Sequence, residues 1–251
     1  MSKFLKVAIK AAKGAGNLLL SLKEKKLVEY KSDLSLLTQA DLISEKFIKK
    51  ELKKEFPKYN VLSEEAGFEE KKSDYTWIID PIDGTTNYFR NLSAWCISIG
   101  LVYKNEVIVA VIYDPVKKEL FYAEKNRGAY LNGIKLKVSG QKEISRAVIS
   151  LERTRSAKER AAKNYKSLAM VATTRMLGST CLELCYLAAG REDAMVGIEL
   201  LPWDRGTGLL IAKEAGAKII YVEKGKDIFA PQTFVAANSS KLAKEIGKLI
   251  V

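Results

Sequence analysis

In the first half of this chain the strand signals come in a group. In the second half they alternate with helical ones, and that switch narrows the fold more than any other feature of the 251 residues. Ahead of the strands, residues 3–23 place Leu5, Ala8, Ala12, Ala15 and Leu19 at helical spacing, and residues 39–56 turn Leu42, Phe47, Ile48 and Leu52 inward. Thr38 is placed to cap the second helix, Pro57 lies just past its end, and Lys31-Ser32-Asp33 form a polar connection between the two helices. Strands are expected at 60–62 and 75–79, then an antiparallel meander over 96–103, 106–114 and 119–123. Asn132-Gly133 reads as a hairpin turn. From residue 147 the expected order is strand 147–151, helix 156–166, strand 169–173, helix 179–189, strand 193–198 and helix 204–215. Strands at 218–222 and 234–237 and a helix over 239–249 complete it. This order predicts an α/β (α+β) fold of layered sheets sandwiched by helices. Residues 1–140 read as an α+β half and 141–251 as an α/β half.

The chain has no histidine. That removes Ser-His-Asp triads, phosphohistidine intermediates and imidazole-held zinc. Acid–base and metal chemistry is left to carboxylates, hydroxyls, lysines and thiols. Three cysteines, an odd and sparse set, argue against a disulfide framework and for a reducing cytoplasm. The longest apolar run, Val107–Tyr113, is far shorter than the roughly 20 residues of a membrane helix. Lys3, Lys6, Lys10 and Lys13 make the first helix amphipathic rather than a signal peptide. The net charge of +12 is spread along the chain with no arginine-rich tail, which argues against a nucleic-acid partner and suits a solvated surface that attracts small anions.

Chemistry concentrates in Trp77-Ile-Ile-Asp-Pro-Ile-Asp-Gly-Thr-Thr-Asn87. An apolar strand runs into Asp80, Pro81 stiffens a turn, and Asp83 follows three residues later. Gly84 lets the backbone approach a ligand closely. Thr85 and Thr86 offer hydroxyls and, if a helix starts there, free N–H groups for an anion. An ordinary turn also draws on Asp, Pro and Gly; the added Gly-Thr-Thr favours a site. Glu64 and Glu65 close the strand Val61-Leu62-Ser63, and Asp204 is placed to open a helix as its N-cap. Such oxygen ligands select magnesium or manganese over zinc. Clustered, they repel one another unless cations neutralise them. Metals ~3.5–4 Å apart are one established use of such a cluster, in phosphoryl chemistry.

Four segments carry a wider resemblance: Ser63-Glu64-Glu65, Asp80-Pro-Ile-Asp-Gly-Thr-Thr86, Gly128-Ala-Tyr-Leu-Asn-Gly133 and Trp203-Asp204-Arg-Gly-Thr-Gly208. In that order, over nearly the whole length, the chain resembles the inositol monophosphatase family of the lithium-sensitive, fructose-bisphosphatase-like superfamily. The resemblance implies an αβαβα sandwich of two sheets with helices between and outside. It implies a homodimer and a Mg2+-dependent phosphatase, with two to three ions per site and Mn2+ as a substitute. Water would attack a small phosphorylated polyol or sugar, inositol 1-phosphate or fructose 1,6-bisphosphate as in archaeal dual-activity enzymes, with 3′-phosphoadenosine 5′-phosphate as the alternative. One magnesium would sit on Glu64, Asp80 and the Ile82 carbonyl, a second on Asp80, Asp83 and Asp204, and a third, weaker one would be held with help from Glu64. Gly84 and Thr85 would meet the phosphate through backbone N–H groups. Thr85, with Asp41 behind it, would orient or deprotonate the attacking water, and Glu65 would stand behind the ligands. Gly178, Ser179 and Thr180, with Asp83 and Asp204, match the sugar pocket. Arg175 is the candidate for a second phosphate, and Lys31 matches a mobile-loop lysine.

The chain also departs from the family pattern. Gly197 stands where animal inositol enzymes carry a substrate-contacting glutamate, and Glu199 is displaced by one strand alternation. Arg205 replaces a small residue and reads as reaching toward substrate or covering surface. Cys185 and Arg191 have the spacing of cysteine phosphatases, which need a thiolate in a strand-to-helix loop. The helical pattern over 179–189 instead buries Cys181 and Cys185. An RNA- or transcription-complex-binding role of the same fold is the non-enzymatic alternative.

Overall fold

Two large sheets, a two-stranded ribbon and seven α-helices form the described residues of the molecule, here a computed structural model that describes residues 1–22, 28–30, 36–222 and 227–251, with backbone alone at 28–30 and 36–38. Lys31 and the Thr38 cap therefore lie outside the described residues and side chains. Helices α1 (Lys3–Ser21) and α2 (Gln39–Glu55) flank a ribbon of β1 (Val28–Tyr30) and β2 (Leu36–Thr38). Next come β3 (Asn60–Ser63), β4 (Gly67–Glu69), β5 (Tyr75–Asp83), α3 (Thr85–Phe89), β6 (Cys96–Tyr103), β7 (Glu106–Asp114), β8 (Glu119–Glu124), β9 (Ala129–Leu131) and β10 (Ile134–Lys135). The second half runs β11 (Val148–Arg153), α4 (Lys158–Ala169), β12 (Thr173–Arg175), α5 (Thr180–Ala188), β13 (Ala194–Leu200), α6 (Pro202–Glu214), β14 (Lys218–Tyr221), β15 (Gln232–Ala237) and α7 (Ser240–Gly247).

The eight-stranded sheet is ordered β10-β9-β8-β7-β6-β5-β3-β4, and the five-stranded one β12-β11-β13-β15-β14. In the first, only β3 and β5 pair in parallel; in the second, β11 is parallel to both β12 and β13. Helices α1 and α2 cover the outer face of the large sheet, α5 and α6 fill the space between sheets, and α4 and α7 cover the outer face of the small one. The layers are αβαβα, and each interface has its own apolar core. Because α5 and α6 have sheet on both sides, every residue of α5 is buried, as is α6 from Arg205 to Ala212. A helix buried all round loses the one-sided stripe of a surface helix. Among the described residues, no helix is long and apolar enough to cross a membrane.

Three local readings change. The expected strand at 169–173 is the C-terminal turn of α4 followed by β12, since Ala161, Asn164 and Leu168 continue one helical face. Helix α6 begins at Pro202, so Asp204 is its third residue rather than its cap. On α2, Leu42 is 48% exposed, while Asp41, Ser44 and Glu45 turn inward with Ile48 and Leu52. A polar residue set buried at one end of an otherwise apolar face marks where that helix meets the site.

Candidate active site

Strand β5 does not stop at Ile79. It continues through Pro81 to Asp83, and its pairing with β6 slips: Asp80 lies opposite Ser98 and Asp83 opposite Cys96, so three steps on β5 match two on β6. In a regular strand, residues three apart point to opposite faces. The extra residue of this bulge re-aims the chain, and both carboxylates line one cavity of about 390 Å3. Proline, with no N–H to give the ladder, is tolerated at a bulge. The inward polar face of α2 holds it there, with the Ser44 hydroxyl donating to the Pro81 carbonyl at 3.0 Å. Glu45 of the same face accepts from Ser63 at the end of β3, beside Glu64.

Glu64, Asp80, Ile82, Asp83, Gly84, Thr85, Gly178, Thr180 and Asp204 all line this cavity. Asp80 accepts the Ile82 N–H at 3.0 Å. Asp83 receives three donors on Oδ2: the Ser179 hydroxyl at 2.5 Å, the Cys181 N–H at 2.8 Å and the Cys96 thiol at 3.5 Å. Asp204 accepts the Leu201 N–H at 3.1 Å, which ties it to the first turn of α6. Gly84 has φ of +92°, a left-handed conformation costly for other residues, and a Cβ there would stand 2.8 Å from the Ala94 carbonyl oxygen. The Thr85 hydroxyl lies 3.3 Å from Asp41 Oδ1 and 3.0 Å from the Ile82 carbonyl, and can donate to either. Asp41 is 1% exposed, which is no place for an idle first-turn charge.

The electrostatics are those of a site short of positive charge. Burial, then Glu64 and Asp83, push the Asp80 carboxyl well above its usual range. Burial with Glu64 and Asp83 does the same to Asp204. Asp83 rises to about 6, driven by burial and held back by its three donors. Buried carboxylates that raise each other's pKa either take up protons or share cations. The donor set, all oxygen, fits a hard divalent cation. Cys96 and Cys181 lie beside Asp83, but burial pushes both thiols up; Cys96 gives Asp83 its S–H, whereas Cys181 gives its backbone N–H and turns its thiol to the Asp204 carbonyl at 3.2 Å.

Other expected residues fall elsewhere. Ser179 is wholly buried behind Asp83 and does not line the cavity. Arg175 is exposed on β12, with its guanidinium on the neighbouring Thr174 carbonyl, and the cavity lining does not include it. The cations that do line it are Arg153, Arg155 and Lys158, with Glu152 at the same edge. The sequence carries a signal for them: they follow the end of β11, and in parallel sheets ligands gather at the carboxyl ends of strands. Gly197 has no room for a side chain, since a Cβ would lie 2.5 Å from the Phe234 ring. Glu199 turns away to Arg160 at 3.7 Å. Arg205 is buried and faces away from the carboxylates. Cys185 lies mid-helix, fully buried, with its thiol pushed well up, the reverse of an activated nucleophile.

A model of the inositol monophosphatase family matches residues 1–251. Inositol monophosphatase 3 of Solanum lycopersicum is 36% identical over an alignment of 261 positions, covering 96% of this chain and 94% of that protein. Nus factor SuhB of Pasteurella multocida is 34% identical, covering 98% and 95% respectively. Among solved structures, the Thermotoga maritima IMPase superposes with a TM-score of 0.90 at 32% identity, covering 99% of this chain and 96% of that one.

Proposed function

The chain belongs to the inositol monophosphatase family, and from that premise we propose that it hydrolyses a small phosphate monoester, inositol 1-phosphate first, with magnesium held by Glu64, Asp80, Asp83, Asp204 and the Ile82 carbonyl. One observation carries this reading: the bulge in β5 and the first turn of α6 bring these acidic groups into one cavity beside Gly84 and Thr85. Bound there, magnesium supplies the positive charge that activates water and stabilises the leaving oxygen. The protein's own groups do the positioning. Gly84 and Thr85 offer backbone N–H groups to the phosphate. The Thr85 hydroxyl, donating to Asp41, keeps its lone pairs for a water, so a proton can pass from water to Thr85 Oγ1 and from there to Asp41 Oδ1. Asn87 braces the opposite wall by donating to the carbonyls of Ala94 at 2.6 Å and Leu177 at 2.7 Å.

Arg153, Arg155 and Lys158 favour a second substrate class in the same cavity: a sugar bisphosphate such as fructose 1,6-bisphosphate, its distal phosphate on these cations. The relatives named Nus factor keep the RNA- or transcription-complex-binding role as the alternative to test. A panel of inositol 1-phosphate, fructose 1,6-bisphosphate and 3′-phosphoadenosine 5′-phosphate, with magnesium and with excess chelator, tests the proposal. Hydrolysis of the first two, lost with chelator and in Asp83→Asn, is expected. Turnover that survives chelation, or no turnover of any of the three, refutes it. Salt-dependent RNA binding by Asp83→Asn, without phosphatase activity in the parent chain, would favour the alternative.

A further inference from the structure

Helix α6 lines two cavities. Asp204 points into the carboxylate cavity, whereas the next residue, Arg205, lines a separate cavity of about 260 Å3 that shares no residue with the first. Arg205 is 1% exposed and among the largest fully buried side chains. Its Nε donates to the Leu200 carbonyl at 3.1 Å, and its Nη2 to the carbonyls of Ile228 at 2.8 Å and Ala230 at 2.7 Å. Nη1 makes no hydrogen bond among the described residues, and no carboxylate forms an ion pair with the guanidinium there. Burying a charge is costly unless something pairs with it.

Both carboxylates among the described lining residues are engaged elsewhere, although Asp204 and Asp227 lie near enough to favour the charged guanidinium. Glu106 is engaged by Lys125 at 2.5 Å, and Glu214 accepts the N–H groups of Asn126 at 2.8 Å and Gly128 at 2.7 Å. Lys213 adds a further cation at the rim. The remaining wall is mixed: Val107, Leu209 and Ile219 form an apolar side, and Asn105, Tyr221 and Gln232 a polar one. A buried arginine whose Nη1 is unbonded among the described residues, at one end of a cavity with an apolar side, is the pattern of a site for a small amphiphilic anion. Inorganic ions satisfy only the arginine, and a neutral apolar molecule satisfies only the wall.

We propose that the cavity behind Asp204, between α6, the β6–β7 turn and β14, is a second ligand site that takes a small organic carboxylate or phosphate, its anionic end on Arg205 and its apolar body against Val107, Leu209 and Ile219. Benzoate is the probe, with benzamide as its neutral counterpart. Benzoate is expected to bind saturably at millimolar concentration, with benzamide at least about tenfold weaker, the value of a hydrogen bond to a charged group. Crystals soaked in benzoate should show its carboxylate within hydrogen-bond reach of Arg205 Nη1. Arg205→Met should weaken benzoate by a similar factor. Since that change also removes three bonds to carbonyls, Ile219→Trp serves as the second variant: it fills the cavity from the far wall and leaves Arg205 intact, and it too should abolish binding. Equal binding of benzoate and benzamide, benzoate found only in the carboxylate cavity, wild-type affinity in Ile219→Trp, or no saturable binding up to about 20 mM each overturns the proposal.

Discussion

Replacing Glu192 by glutamine should stabilise the chain at pH 8 and do so much less at pH 5. Glu192 is 5% exposed, at the bend between α5 and β13, and its Oε2 has no hydrogen-bond partner. Burial lifts its carboxyl from an ordinary 4.5 to about 7; Asp193 and Glu152 add to this, while Arg175 and the Ser150 hydroxyl, which stops short of hydrogen-bond geometry, act against it. The folded chain therefore binds this proton more tightly than the unfolded one. The resulting stability is complete below the unfolded pKa and disappears as pH rises through the window from about 4.5 to about 7. At about 1.4 kcal/mol per unit, a shift of this size amounts to about 3 kcal/mol at pH 8. Glutamine has the shape of the protonated acid and carries no charge to desolvate, so Glu192→Gln recovers that amount. With chelator present, urea unfolding should show the midpoint of Glu192→Gln rising by roughly 1 M or more over the parent at pH 8, and by only about a quarter of that at pH 5. An equal shift at both pH values, or a loss at pH 8, would refute the linkage.

Other consequences are as direct. Ser179→Ala removes the 2.5 Å donor behind Asp83 and should raise the magnesium needed for half-maximal activity about 10–100-fold while leaving substrate KM at saturating metal nearly unchanged. Thr85→Ala should lower kcat about 10²–10⁴-fold, and Thr85→Ser, which keeps the hydroxyl facing Asp41, should recover most of it in the same steady-state assay. Gly84→Ala forces a Cβ into a left-handed residue and against the Ala94 carbonyl, and should cost about 1–3 kcal/mol in urea unfolding as well as phosphatase activity. Lys158→Gln should raise KM for fructose 1,6-bisphosphate and leave inositol 1-phosphate unaffected, if the cations at the end of β11 hold a distal phosphate.

Periodicity alone made most elements legible, because a meander of β-branched strands and an alanine-lined α1 have unambiguous periods. It failed where burial is two-sided or polar. The buried face of α2 at its N-terminal end is Asp41-Ser44-Glu45, which no hydrophobic pattern reveals, so Leu42 looks like the inward residue and is exposed. Pro81 suggests a turn because proline commonly breaks strands; the bulge that keeps β5 going depends on pairing with Cys96 and Ser98, distant in the chain. Asp80, Asp83 and Gly84 stand in one short motif and are readable together. That Asp204 joins them across the α6 turn, and that Arg205 turns its back on them, follows only from the packing of α6 between two sheets.

Crystals grown or soaked with manganese give the most direct measurement, since its anomalous scattering locates each ion without reference to activity. The account predicts peaks in the cavity between Glu64, Asp80, Asp83 and Asp204, next to Gly84 and Thr85, all weakened or lost in Asp83→Asn. A cavity free of anomalous signal at saturating manganese, or ions bound only elsewhere on the surface, would contradict it.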